Sequence, residues 1–120
     1  MKVIANNKKA TYDYDISLKI NSGLVLTGSE VKSLRVNSSS IKEAYVQEKK
    51  GELWLCNCYI KTYHSSSQKV NDPIRQKKLL ISKKELNKLL GLVKKEGFSI
   101  IPLSLYFNEK GLAKLNIGLG

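Results

Sequence analysis

Strand-length runs recur along this 120-residue chain, each cut off by a turn signal, and that punctuation leaves room for few helices. Tyr12, Tyr14, Ile16, Leu18 and Ile20 alternate with polar residues, the period of two expected of a half-buried strand. Asn21-Ser22-Gly23 reads as a turn, with residues 24–26 as a second strand closing a hairpin with the first. Residues 42–49 and 52–61 flank Lys50-Gly51 and predict another hairpin. The segment ELWLCNCYIK in it is apolar on both faces, as a central strand is. Residues 79–81 form a short strand, and residues 98–107 and 112–119 form two more, joined by a turn at 108–111. Pro102 belongs at a strand edge or a bulge, because it has no amide to give a ladder.

Two helices interrupt this pattern. Thr27 and Glu30 form a T-x-x-E capping box, after which Val31 and Leu34 anchor a short helix on the core and turn Lys32 and Arg35 outward. Ser38-Ser39-Ser40 ends that helix. Ser82 and Glu85 form a second box, Leu86, Leu89, Leu90 and Val93 follow at helical spacing, and Gly97 supplies the stop. Short antiparallel strands with two capped helices predict a mainly β fold, a small barrel or sandwich flanked or plugged by the helices. The polar stretch 64–76 reads as a long loop of the kind that carries function.

At this length the chain makes one domain, and 42% apolar residues suffice for its core. Lys and Arg number 21 against 10 acids, a formal charge of +11 that points to a polyanionic partner, most often nucleic acid. Neither an apolar leader nor a membrane-spanning run is visible, and two cysteines suit a reducing cytosol, so the expected location is cytoplasmic. Catalysis is not expected: there is one histidine, no Gly-rich phosphate loop and no H-E-x-x-H. Cys56, Cys58 and His64 lack four-ligand metal spacing, so the cysteines read as packing residues and His64 as a loop imidazole. Asp13 and Asp15 read as a solvated strand face. No cofactor is implied.

The cations carry more. Lys69, Arg75, Lys77, Lys78, Lys83 and Lys84 fall within residues 69–84 beside one acid, Asp72, a density that calls for counter-charge such as phosphate. Asn7-Lys8-Lys9 is a second group. Tyr12, Tyr59 and Tyr63 offer either stacking faces for unpaired bases or core packing.

IANNKKATYDYDI, SGLVLTGSEVKSLR, NDPIRQKKLLISKKEL and PLSLYFNEKGLAKLNIGLG resemble, in order and spacing, the small protein B family, the binding partner of bacterial transfer-messenger RNA. The resemblance implies an OB-like closed antiparallel β-barrel with two or three flanking helices. It also implies a non-catalytic, monomeric role in trans-translation, delivering transfer-messenger RNA to stalled ribosomes without contact to a membrane. A generic OB-type binder of single-stranded RNA is the alternative. By position, the resemblance places Asn7, Lys8 and Lys9, then Asn21, Ser22 and Gly23, against the elbow of the RNA's tRNA-like domain, with Lys32 and Arg35 nearby. Glu30 is expected only to cap. Asn21 stands where the family often has an acid. The family's basic C-terminal tail is expected to be absent from residues 1–120, which stop at Gly120.

Overall fold

The computed structural model describes residues 2–63 and 72–120. His64, Lys69 and most of the expected functional loop lie outside these residues. Seven strands form one antiparallel sheet: β1 (Lys2–Asn6), β2 (Leu18–Leu24), β3 (Tyr45–Lys49), β4 (Glu52–Cys56), β5 (Lys77–Leu80), β6 (Ile100–Phe107) and β7 (Ala113–Leu119), in spatial order β1-β6-β7-β2-β5-β4-β3. Within the described residues three helices accompany them: α1 (Lys8–Asp13), α2 (Gly28–Val36) and α3 (Lys83–Glu96).

The sheet curls but does not close. β6 pairs along its length with β7, and its C-terminal half, from Ser104 to Phe107, is taken by β1. β3 approaches β6 without pairing to it. The seam is an open groove bordered by α1, β3, α3 and the start of β6, so the expected closed barrel is corrected to a half-barrel. Strand β1 is what the sequence reading missed: KVIAN lacks a clean alternation, and its order comes from a partner about a hundred residues away.

Two further expectations fail nearby. Residues 12–17 are not strand. Asn7 caps α1 instead, its Oδ1 accepting from the Ala10 amide at 3.3 Å, and Tyr12 projects into solvent at 91% exposure. Alternation builds a strand only where a partner edge is available, and the pairing of β2 begins at Leu18. Asn21-Ser22-Gly23 is not a turn but the middle of β2. The Tyr106 hydroxyl donates to Asn21 Oδ1 at 2.6 Å, and Ser22 Oγ donates to the Leu115 carbonyl at 2.8 Å. Gly23 lets Leu80 approach so closely that a Cβ there would sit 3.1 Å from the leucine's own.

The local signals held elsewhere. Lys50 and Gly51 both take positive φ (52° and 77°), as a two-residue primed turn between β3 and β4 requires. Pro102 sits at a register shift between β6 and β7. Leu105, Leu115, Ile117 and Leu119 fill the core from one face of β6 and β7. Of the α3 stripe, Leu89 is fully buried, while Leu86, Leu90 and Val93 are partly buried against the same core.

Candidate nucleic-acid interface

The two helix N-caps differ. α2 closes the full capping box. In α3, Ser82 Oγ accepts from the Glu85 amide and donates to the Glu85 carboxylate, so the reciprocal bond to the cap's backbone amide is not made. In α2, Glu30 accepts from the Thr27 amide at 2.9 Å and Thr27 Oγ1 accepts from the Glu30 amide at 3.2 Å. The Glu30 carboxylate is only 4% exposed and does more than cap. Arg75 grips it with Nη2 on Oε1 at 2.6 Å and Nε on Oε2 at 3.2 Å, the fork geometry that suits a guanidinium to a carboxylate. Lys77 Nζ lies 4.0 Å from Glu30 Oε2 and donates to the Cys58 carbonyl at 2.8 Å. Burial pushes the Glu30 pKa up, but the hydrogen bonds from Arg75 and Thr27 and the nearby positive charges outweigh it, leaving the carboxyl below its ordinary value. Burial lowers the Lys77 pKa, against the neighbouring Glu30 charge.

Two residues expected to face phosphate are therefore spoken for inside the molecule. Lys77 is 0% exposed. Arg75 also donates to the Val25 and Gln76 carbonyls. Buried ions need partners, and Glu30, 45 residues upstream of Arg75, supplies the charge that neither neighbour's local sequence reveals. Ser22 is likewise buried and bonded, and Gly23 is buried beneath Leu80. Lys77, Ser22 and Gly23 are thus buried, while Arg75 stays about a third exposed with its guanidinium engaged on Glu30, Val25 and Gln76.

The remaining expected residues are at the surface. Lys32 and Arg35 are exposed on α2. Arg35 lies 5.8 Å from the Phe107 ring centroid, a cation–π arrangement that holds it over the end of β6, and Lys2 Nζ donates to the Arg35 carbonyl. Asn21 is exposed on the outer sheet face. Lys78 pairs with Glu52 at a half-exposed position. Lys8, Lys9 and Tyr12 are exposed on α1, whose Asn7 donates through Nδ2 to the Pro102 carbonyl at 3.1 Å and through its backbone amide to Leu103 at 2.8 Å. Asn7 thus anchors α1. Pro102 and Phe107 are five residues apart on β6, so the α1 and α2 groups are separated by about 17 Å along that strand. They flank a span rather than form one cluster.

The sequence reading passed over Lys88, Lys94 and Lys95, which extend the exposed cations of α3 beyond Lys83 and Lys84. Their helical spacing was the available signal. Cys56 and Cys58 are both buried and free. Cys58 lies past the end of β4, beyond Asn57 at φ 57°, so the two do not share one strand. Among the described residues no three metal-ligating side chains converge, and no helix is long and apolar enough to cross a membrane.

A curled antiparallel sheet whose exposed cations stand on its flanking helices has the layout of a small polyanion-binding β domain. Comparison narrows the class. A family model described as SmpB protein matches residues 4–120, and the chain belongs to that family. An SsrA-binding protein of Wolbachia pipientis subsp. Culex pipiens (strain wPip) is 50% identical over 119 residues, covering 99% of this chain and 80% of the relative. The SsrA-binding protein of Ehrlichia canis (strain Jake) is 53% identical over 117 residues, covering 98% and 79%. A solved structure described as "tmRNA-SmpB: a journey to the center of the bacterial ribosome" superposes with a TM-score of 0.76 at 41% identity, covering 99% of this chain and 82% of that one.

Proposed function

We propose that this chain binds the tRNA-like domain of transfer-messenger RNA and acts with that RNA on stalled ribosomes, as a cytoplasmic, non-catalytic partner in trans-translation. The observation that carries the reading is the near-complete match, in fold and at 41% identity, to a chain solved in work on the tmRNA-SmpB system and the bacterial ribosome. The residues assigned to the RNA are Lys8, Lys9 and Tyr12 on α1, Asn21 on the outer sheet face, Lys32 and Arg35 on α2, and Lys78 beside β4. Lysine and arginine neutralise phosphates, Tyr12 supplies an exposed aromatic face, and the Asn21 amide can pair with a base edge. Asn7, Arg75 and Lys77 support these groups from within. The two cation groups, about 17 Å apart along β6, suit a folded RNA elbow better than one strand threaded through a cleft.

Gel-shift titration distinguishes this from generic single-strand binding. The tRNA-like domain should bind far more tightly than an unpaired RNA of equal length. Equal affinity for the two would overturn the reading.

A further inference from the structure

We propose that the open seam of the sheet is a docking site for an extended peptide segment of a partner protein, paired antiparallel to the free edge of β3. The groove along the seam holds about 640 Å³. Its floor is apolar: Val46 of β3, Leu90 and Val93 of α3, Phe98, and Ile100 of β6 line it and are only partly buried against the core. Tyr14 and Tyr45 at its walls are 43% and 51% exposed, an apolar surface larger than scattered single residues provide. The charged residues that border it are two cations, Lys9 and Lys42, and two anions, Asp13 and Glu48. On a chain of formal charge +11 this balanced groove is poorly suited to phosphate.

The main chain selects what fits there. Lys49 and Glu52 flank the two-residue Lys50-Gly51 turn and so form a hydrogen-bonded pair. Bonding alternates along an antiparallel ladder. Tyr45, Gln47 and Lys49 therefore bond to β4, whereas the amides and carbonyls of Val46 and Glu48 point off the sheet toward the seam. Across the groove, Ser99 and Gly120 exchange both backbone bonds, at 2.9 and 3.2 Å, so the next residue, Ile100, turns its amide and carbonyl away from β7. Strand β1 covers β6 only from Ser104 onward, and among the described residues β3 pairs with β4 alone. The groups on both sides of the seam thus form unpaired strand edges, and an unpaired edge is satisfied by another strand.

Charge sets the direction of that strand. Lys42 lies just before β3 and Glu48 near its far end, and among the described residues neither forms an ion pair. A strand antiparallel to β3 meets Glu48 with its N-terminal side and Lys42 with its C-terminal side. The segment that fits carries a base first and an acid about six residues later. Between them, apolar residues at alternate positions share the face of Val46 and pack on Leu90, Val93 and Phe98.

The probe is a capped peptide, Lys-Thr-Ile-Thr-Ile-Thr-Asp, added to the full chain, with amide hydrogen exchange and binding followed by NMR. In the free protein the Val46 and Glu48 amides should exchange faster than that of Gln47. Saturating peptide should slow both by about tenfold or more and leave α2 unchanged. Val46→Pro gives up no ladder bond to β4, so it should keep the fold while weakening the peptide about tenfold. Lys42→Glu combined with Glu48→Lys should weaken the probe about fivefold and restore binding to a peptide with its end charges exchanged. If Val46→Pro unfolds, this exchange of charges decides the matter alone. Val46 and Glu48 amides already protected in dilute free protein would mean that the seam closes onto β6 by itself, which overturns the proposal. Peptide affinity indifferent to the charge exchange would overturn it as well. Protection of the same amides by the tRNA-like domain would assign the groove to RNA, and protection that grows with protein concentration alone would assign it to a second copy. Either result would refute a partner peptide.

Discussion

The basic run at residues 75–78 and the lysine line of α3 look alike in sequence and are opposites in structure. In the first, Arg75 and Lys77 converge on the buried Glu30 carboxylate, and Lys78 pairs with Glu52. In the second, Lys84, Lys88 and Lys95 are exposed and, among the described residues, form no ion pair. Charge density along a chain therefore does not separate cations that hold a fold from cations that face solvent. What separates them is where the acids are. The deciding acid, Glu30, caps α2 and is distant in sequence from both cations that it neutralises.

The largest effect that would break this contrast is on stability. Glu30→Ala leaves Arg75 without its carboxylate and Lys77 buried beside no negative charge, and it removes half of a capping box. It should cost about 3–5 kcal/mol in chemical denaturation, whereas Lys84→Glu, Lys88→Glu and Lys95→Glu combined on exposed α3 should change stability by no more than about 0.5 kcal/mol. A mild Glu30→Ala would mean that these buried charges are not holding α2 to β5 and the residues just before it.

Truncation of the hydrophobic stripe beneath the lysine line comes next. Leu89→Ala should cost about 2–5 kcal/mol, and Leu90→Ala less, because Leu89 alone of the stripe is fully buried. Equal melting temperatures for the two would contradict the orientation given to α3. On the outer side, Gly91→Ala should raise stability by about 1 kcal/mol. A loss there would reveal an internal role for that glycine.

Acid sharpens the contrast with a smaller effect. The folded Glu30 carboxyl titrates below its unfolded value of about 4.3, so its contribution is fully present above that pH and is lost as pH falls through the lower folded value. Glu30→Gln should flatten the wild-type decline in melting temperature over that window. A decline of unchanged steepness would move the acid sensitivity to other carboxylates.

Legibility follows the same line between local and distant causes. Both helix N-caps, Thr27 and Ser82, the Lys50-Gly51 turn, the Pro102 bulge and the alternation of β7 were readable because each is settled within a few residues. Strand β1, the run of β2 through Asn21-Ser22-Gly23 and the open seam were not, because each depends on a partner edge far along the chain. Tyr12 and Tyr14 imitated a strand while standing at the surface, a pattern that period alone cannot distinguish from half-burial. Of the candidate interface, Lys8, Lys9, Lys32 and Arg35 were legible as exposed cations. The internal roles of Arg75 and Lys77 were hidden by the same distance that hides their shared acid.

The division of the cations is tested most directly by the salt dependence of binding to the tRNA-like domain. Log affinity is followed against log salt for wild type, for Lys32→Gln with Arg35→Gln, and for Lys77→Met. Each lost phosphate contact should shallow the slope by about 0.7–0.9, so the α2 double variant should lose roughly 1.4–1.8. Lys77→Met should keep the wild-type slope even though it gives up the bond to the Cys58 carbonyl. A shallower slope for Lys77→Met, with no change for the α2 variant, would contradict the account: the buried lysine would then be reaching the RNA, and the exposed pair would not.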